Sequence, residues 1–132
     1  MPVRSLLLAA LATTLALPAS AALRDERGIG EGLITVGIAY EISEVCPTID
    51  ARRLRGLNYL LSLRSAARNL GYSAAEVEAY IDDDAEKDRL EAIARQRLSR
   101  MGARKGDVQA HCTVGRQEVA KDSQIGRLLA PR

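Results

Sequence analysis

Residues 50–71 read DARRLRGLNYLLSLRSAARNLG. Leu54, Leu57, Leu60, Leu61, Leu63, Ala67 and Leu70 recur at intervals of three and four, the spacing of one helical face. Gly71 offers the left-handed position that commonly ends a helix, and Thr48 or Asp50 can cap its start. A stripe this wide predicts the central helix of a bundle.

Outward in both directions the same period continues. Ile34, Ile38, Ile42 and Val45 recur at helical spacing, widened by Leu33 and Val36, with Glu31, Glu41 and Glu44 on the polar side. Pro47 ends that first helix just after Cys46. Downstream, Ser73-Ala74-Ala75-Glu76 is a capping-box pattern that starts a third helix carrying Val77, Tyr80 and Ile81. Asp82-Asp83-Asp84 breaks it and caps a fourth helix, with Leu90, Ile93, Ala94, Leu98 and Met101 facing inward and Gly102 as its stop. Asp107 caps a fifth, on which Val108, Cys112, Gly115 and Val119 share a face, and Ser123–Leu129 forms a short final turn or helix. Strand-like alternation is missing from the sequence. The expected fold is therefore all-α: a small orthogonal bundle of about five helices.

The N-terminus reads differently. Met1–Ser5 carries one cation, Arg4; Leu6–Leu17 is uncharged; then come Pro18 and Ala19-Ser20-Ala21. A basic start, an apolar run, a helix breaker and an A-x-A site together predict a cleaved signal peptide over 1–21. The apolar run is shorter than the roughly 20 residues needed to span a bilayer. The expectation is a single helical domain over 22–132 in the periplasm, with membrane association peripheral at most. The chain holds 19 Lys and Arg against 17 Asp and Glu, and the leader removes one cation. That near-neutral balance argues against a nucleic-acid binder working by bulk electrostatics.

With four Tyr, no Phe and no Trp, the core must come from aliphatic side chains, and a domain this small is marginal without help. Cys46 and Cys112 offer that help. An even cysteine count in an oxidising compartment reads as one disulfide, worth roughly 4 kcal/mol in the chain-entropy account. Free thiols, a redox pair and a metal pair are the alternatives, but neither cysteine belongs to a C-x-x-C motif.

No catalytic, cofactor or metal constellation emerges. Asp82–Asp84 lacks the alternating ligands, central Gly and terminal Glu of a calcium loop. His111 precedes Cys112, but adjacent helical positions point about 100° apart and do not pair. Paired carboxylates for glycosidase-type chemistry cannot be picked out. A candidate partner surface gathers instead on Arg52, Arg53 and Arg55, extended by Arg64 and Arg68, which could meet anionic lipid head groups or an acidic partner. Gly115, Arg116 and Gly126 form a second candidate, a groove for a partner.

Several stretches carry a resemblance: Gly32-Leu33, Cys46-Pro47, Leu70-Gly71-Tyr72-Ser73, Glu76, Tyr80, Glu86-Lys87, Cys112, Gly115-Arg116, Glu118, Ala120 and Ser123–Leu129. On these the chain resembles small exported bacterial proteins classed only as a domain of unknown function. The resemblance covers most of the expected mature chain and supplies no catalytic residue. It implies genes near those of respiratory complex I, and hence an accessory or assembly role beside an energy-converting membrane. The expected function is a non-enzymatic exported accessory or binding protein with a protein partner. The alternative is a periplasmic stress chaperone of the small helical disulfide type.

Overall fold

The computed structural model describes residues 12–15 and 19–132. The expected leader falls mostly outside the described residues. Seven helices are seen among them: α1 (Ala19–Arg24), α2 (Arg27–Val45), α3 (Arg53–Asn69), α4 (Ala74–Ile81), α5 (Asp84–Arg100), α6 (Val108–Ala120) and α7 (Gln124–Arg127). Two short strands, β1 (Ile49–Ala51) and β2 (Leu129–Pro131), pair antiparallel, with Asp50 opposite Ala130. The fold is all-α, and the five expected helices are α2 to α6. α7 is the short final turn, and α1 runs across Ala21, where the leader was expected to end. The strand pair was not expected, because three residues are too few to display a period.

Capping chemistry sets the helix ends. Ser73 and Glu76 exchange both bonds of a capping box at the start of α4. Asp83 accepts from the Glu86 N–H at α5, and Asp107 from the Ala110 N–H at α6. Gly71 and Gly102, with φ of +102° and +108°, follow α3 and α5 in the conformation that suits glycine. The start of α3 differs from expectation. Its N-cap is Arg52, with no side-chain cap bond. Asp50 lies in β1 and pairs with Arg132, and Thr48 sits 3.3 Å from the Cys46 sulfur.

The central helix is α2, which corrects the sequence expectation for α3. Ile34, Ile38, Ala39 and Ile42 of α2 are buried in one cluster with Ile49, Ala94, Leu98, Val114, Leu128 and Leu129. On α3 only Ala67 is buried, while Leu54 and Leu57 are 72% and 53% exposed. Periodicity identifies an amphipathic face but does not say which of two such helices lies inside. The notched surface of α2 decides it. A Cβ at Gly32 would come within 2.5 Å of Leu63 on α3, and one at Gly37 within 3.3 Å of Ala94 on α5. Bare Cα atoms there let both neighbours approach α2 closely.

A smaller cluster of Leu23, Ile29, Ala67, Val77 and Tyr80 joins α1 to α4. Cys46, just past the end of α2, is bonded to Cys112 on α6 across a sequence separation of 66. Beside that bond the end of the chain is fastened to β1: the Arg132 N–H donates to the Thr48 carbonyl, and the Arg52 guanidinium to that of Leu129.

Gly30 sits inside α2 with nothing near its missing Cβ. Gly30→Ala is therefore expected to raise stability by about 0.5–1 kcal/mol, the backbone-entropy gain alone. A fall in the urea midpoint would show that the position is crowded after all.

Candidate interaction surface

The outer face of α2 is left partly uncovered. Leu33, Val36, Gly37 and Tyr40 fall at i, i+3, i+4 and i+7, a single stripe. Towards α5 they line an apolar depression of about 270 Å³ completed by Leu90 and Ala94. Towards α3 a second depression of about 270 Å³ is completed by Gly56, Leu57 and Leu60. The two adjoin at Val36 and Tyr40, which line both, and make up a two-part groove over α2. Tyr40 is 59% exposed at the middle of it.

Charges border the groove on both sides. On the α5 side Arg95 lies between Glu41 and Glu91, and Lys87 meets Asp84. On the α3 side stand Arg52 and Arg53. A bidentate pair of Arg97 with Glu31, at 2.5 and 2.7 Å, ties α5 to α2 outside the groove lining. Those hydrogen bonds hold the Glu31 carboxyl below its ordinary 4.5, against the smaller opposing effect of burial. A lowered folded pKa contributes stability above the unfolded value, lost as pH falls through the folded one. The pair is half exposed, so its worth is about 0.5 kcal/mol. Arg97→Gln should cost that much at neutral pH and nothing well below pH 4.5. Urea midpoints at the two pH values check it, and an equal loss at both would refute the linkage.

The residues expected to form a partner surface fall into separate places. Arg52, Arg53 and Arg55 stand together, exposed, where β1 passes into α3. Arg116 is exposed on a different helix, α6. Gly115 and Gly126 are buried and offer no groove to a partner, since this chain already fills their space. Ile42 and Ile49 crowd Gly115, and the Glu118 backbone crowds Gly126. Arg64 pairs with Glu78, and Arg68 donates to the Tyr72 carbonyl. His111 is buried with its Nδ1 2.6 Å from the Asp107 carbonyl, and its neighbour Cys112 is consumed in the disulfide.

Many of the residues carrying the resemblance have structural work. Tyr72 donates to Glu26 at 2.9 Å, and Tyr80 to the buried Glu86, which Arg89 and Arg24 also engage. Burial first and the Glu86 charge second push the Tyr80 hydroxyl's pKa upward. Sequence reading placed Leu33 and Val36 in the core stripe, and both do pack against the core clusters; it missed that they also line a depression with Tyr40, which it did not single out. The available signal was the 33–36–37–40 stripe, offset from the 34–38–42 stripe that is buried.

Among the described residues no group of His, Cys, Asp and Glu could hold a metal ion. Also among them, no helix is long and apolar enough to cross a membrane. Fold and surface together define a disulfide-linked, all-α domain with an apolar groove over its central helix. The chain matches a family of unknown function, DUF5333, over residues 21–130, and belongs to that family. No curated protein and no solved structure matches it.

Proposed function

We propose that this protein is a non-enzymatic exported accessory protein that holds a protein partner in the groove over α2, the partner belonging to a respiratory membrane complex. One observation carries the reading: the floor of the groove is an apolar stripe of the central helix, left uncovered around Tyr40. Scattered exposed apolar side chains are ordinary, whereas a continuous patch rimmed by charge marks an interaction site. A groove with an i, i+3, i+4, i+7 floor fits a helix or other amphipathic segment.

A photo-crosslinking residue in place of Tyr40, in cells that make the protein, tests this. The expected result is a discrete adduct with a subunit of a membrane complex, missing when the same residue replaces Arg116. Equal adducts from both positions, or none from Tyr40, would overturn the groove reading. A discrete partner outside any respiratory complex would remove that association and leave the groove.

A second reading is a stress chaperone whose groove opens in acid. It draws on the Glu31–Arg97 clamp, which protonation of Glu31 would release. Light scattering from an aggregating client protein at low pH decides it, with no suppression at several-fold excess ending the idea.

A further inference from the structure

The helix beside the groove carries an unused surface of its own. Leu54, Leu57 and Leu61 are 72%, 53% and 47% exposed. At about 100° per residue they fall within roughly 60° of arc on α3. Arg53 and Arg64 border that strip, and Arg68 continues its line towards the end of the helix. From Ala51 to Asn69 the chain holds Arg52, Arg53, Arg55, Arg64 and Arg68, and not one Asp or Glu. Elsewhere several guanidiniums are matched, Arg89 with Glu86, Arg97 with Glu31, Arg127 with Asp122 and Arg132 with Asp50, and those without a carboxylate, such as Arg100, Arg104 and Arg116, are not set beside exposed leucines on one helix. Among the described residues, Arg64 alone of the α3 set meets a carboxylate, Glu78. Arg52 and Arg55 bond only to the carbonyls of Leu129 and Arg127, which leaves their charge intact. Arg53 lies near Asp50 and Arg55 near Asp122, but those carboxylates already hold Arg132 and Arg127, so positive charge is in excess on the one helix, among the described residues, whose leucines face outward.

We propose that α3 is a membrane-surface element, which lays its Leu54–Leu57–Leu61 strip into the interface of an anionic phospholipid bilayer while its arginines engage the phosphates. Leucines on one side and cations at their border are what an in-plane interfacial helix requires. Guanidinium groups bind phosphate through several donors at once. Leu54 and Leu61 line neither depression beside α2, so they suit a flat, yielding layer. The strip shares Leu57, and its border Arg53, with the α3 wall of the groove, whereas Leu54 and Leu61 belong to the strip alone and Tyr40 to the groove alone.

The test is sedimentation of the processed protein, purified from its producing cells, with two kinds of vesicle. One is phosphatidylcholine alone, and in the other phosphatidylglycerol replaces a third of it. Partition onto the anionic vesicles should be at least tenfold stronger, and the difference should vanish in about 0.5 M salt. The Arg53→Glu/Arg55→Glu variant should lose about tenfold or more of it. Leu54→Ser/Leu61→Ser should lose a similar factor at unchanged circular dichroism, since both leucines are largely exposed and neither lines the groove. Equal partition onto both vesicles, or anionic binding that both variants retain, would overturn the assignment. So would vesicles left unbound while a crosslinker at Leu54 captures a protein, which would make α3 a protein-facing surface. Loss of vesicle binding with Tyr40 crosslinking intact refutes this assignment alone, and the converse refutes the groove alone.

Discussion

The Cys46→Ala/Cys112→Ala variant is expected to unfold with about 4 kcal/mol less free energy than the oxidised protein, its melting temperature falling by roughly 15–25 °C. The bond closes a loop with a sequence separation of 66, within which lie β1, α3, α4 and α5. Without it, that whole stretch regains its freedom in the unfolded chain, and the loss is chiefly entropic in that account. The bond also sits where the chain leaves the central helix, so it fixes the point from which β1 departs. Both cysteines are buried, and alanine removes some packing besides. Reduced wild type separates the two effects in urea denaturation. If reduction and substitution cost alike, the cross-link itself is responsible. A loss below about 1 kcal/mol in both would sink the chain-entropy account.

Gly126→Ala is the second large effect, at about 3 kcal/mol of destabilisation, the upper end for overpacking a filled site. Its new methyl group would overlap the Glu118 carbonyl and lie 2.7 Å from the Val119 nitrogen. These atoms belong to the backbone of α6, so no side-chain rotation can relieve the contact. Separation of α7 from α6 would strip the Ser123 N–H from the Glu118 carbonyl, at 3.2 Å, and shift the buried Leu128 and Leu129. Gly115→Ala is expected to cost less, about 1–2 kcal/mol, because the atoms it meets are the methyl ends of Ile42 and Ile49. Together with the gain foreseen for Gly30→Ala, the three alanines should rank 30, 115, 126 from most to least stable. Chemical denaturation of the set checks the order, and a Gly126 variant as stable as wild type would show that α7 does not pack as described.

Much of the helical layout is legible residue by residue. Ser73 with Glu76, Asp83 and Asp107 announce helix starts through short-range bonds that need no tertiary context, and Gly71 and Gly102 announce stops. Tertiary facts are less legible. Leu54, Leu57 and Leu61 have the period of a core stripe, yet the periodicity is equally that of a helix presenting leucines outward. Only the notches at Gly32 and Gly37, matched to Leu63 and Ala94, reveal that α2 takes the centre. Gly115 and Gly126 show the same limit. A bare Cα admits a partner or the chain's own backbone with equal ease, and here it admits the chain. Of the expected partner surface, the arginines stand in the open because charge resists burial. The β1–β2 pair was invisible because its hydrogen bonds join segments about eighty positions apart and leave no local trace.

That pairing has a consequence for how the protein is made. Ile49, Asp50 and Ala51 emerge from the ribosome long before Leu129, Ala130 and Pro131, the only strand they pair with. Leu128 and Leu129, which help fill the cluster around α2, emerge equally late. A nascent chain that lacks residues 128–131 therefore has a gap in its core and no partner for β1, whatever helices it has already wound. Local helices form early and cheaply, but contacts of such sequence separation form late. The core around α2 therefore cannot close until residues 128–131 are in place.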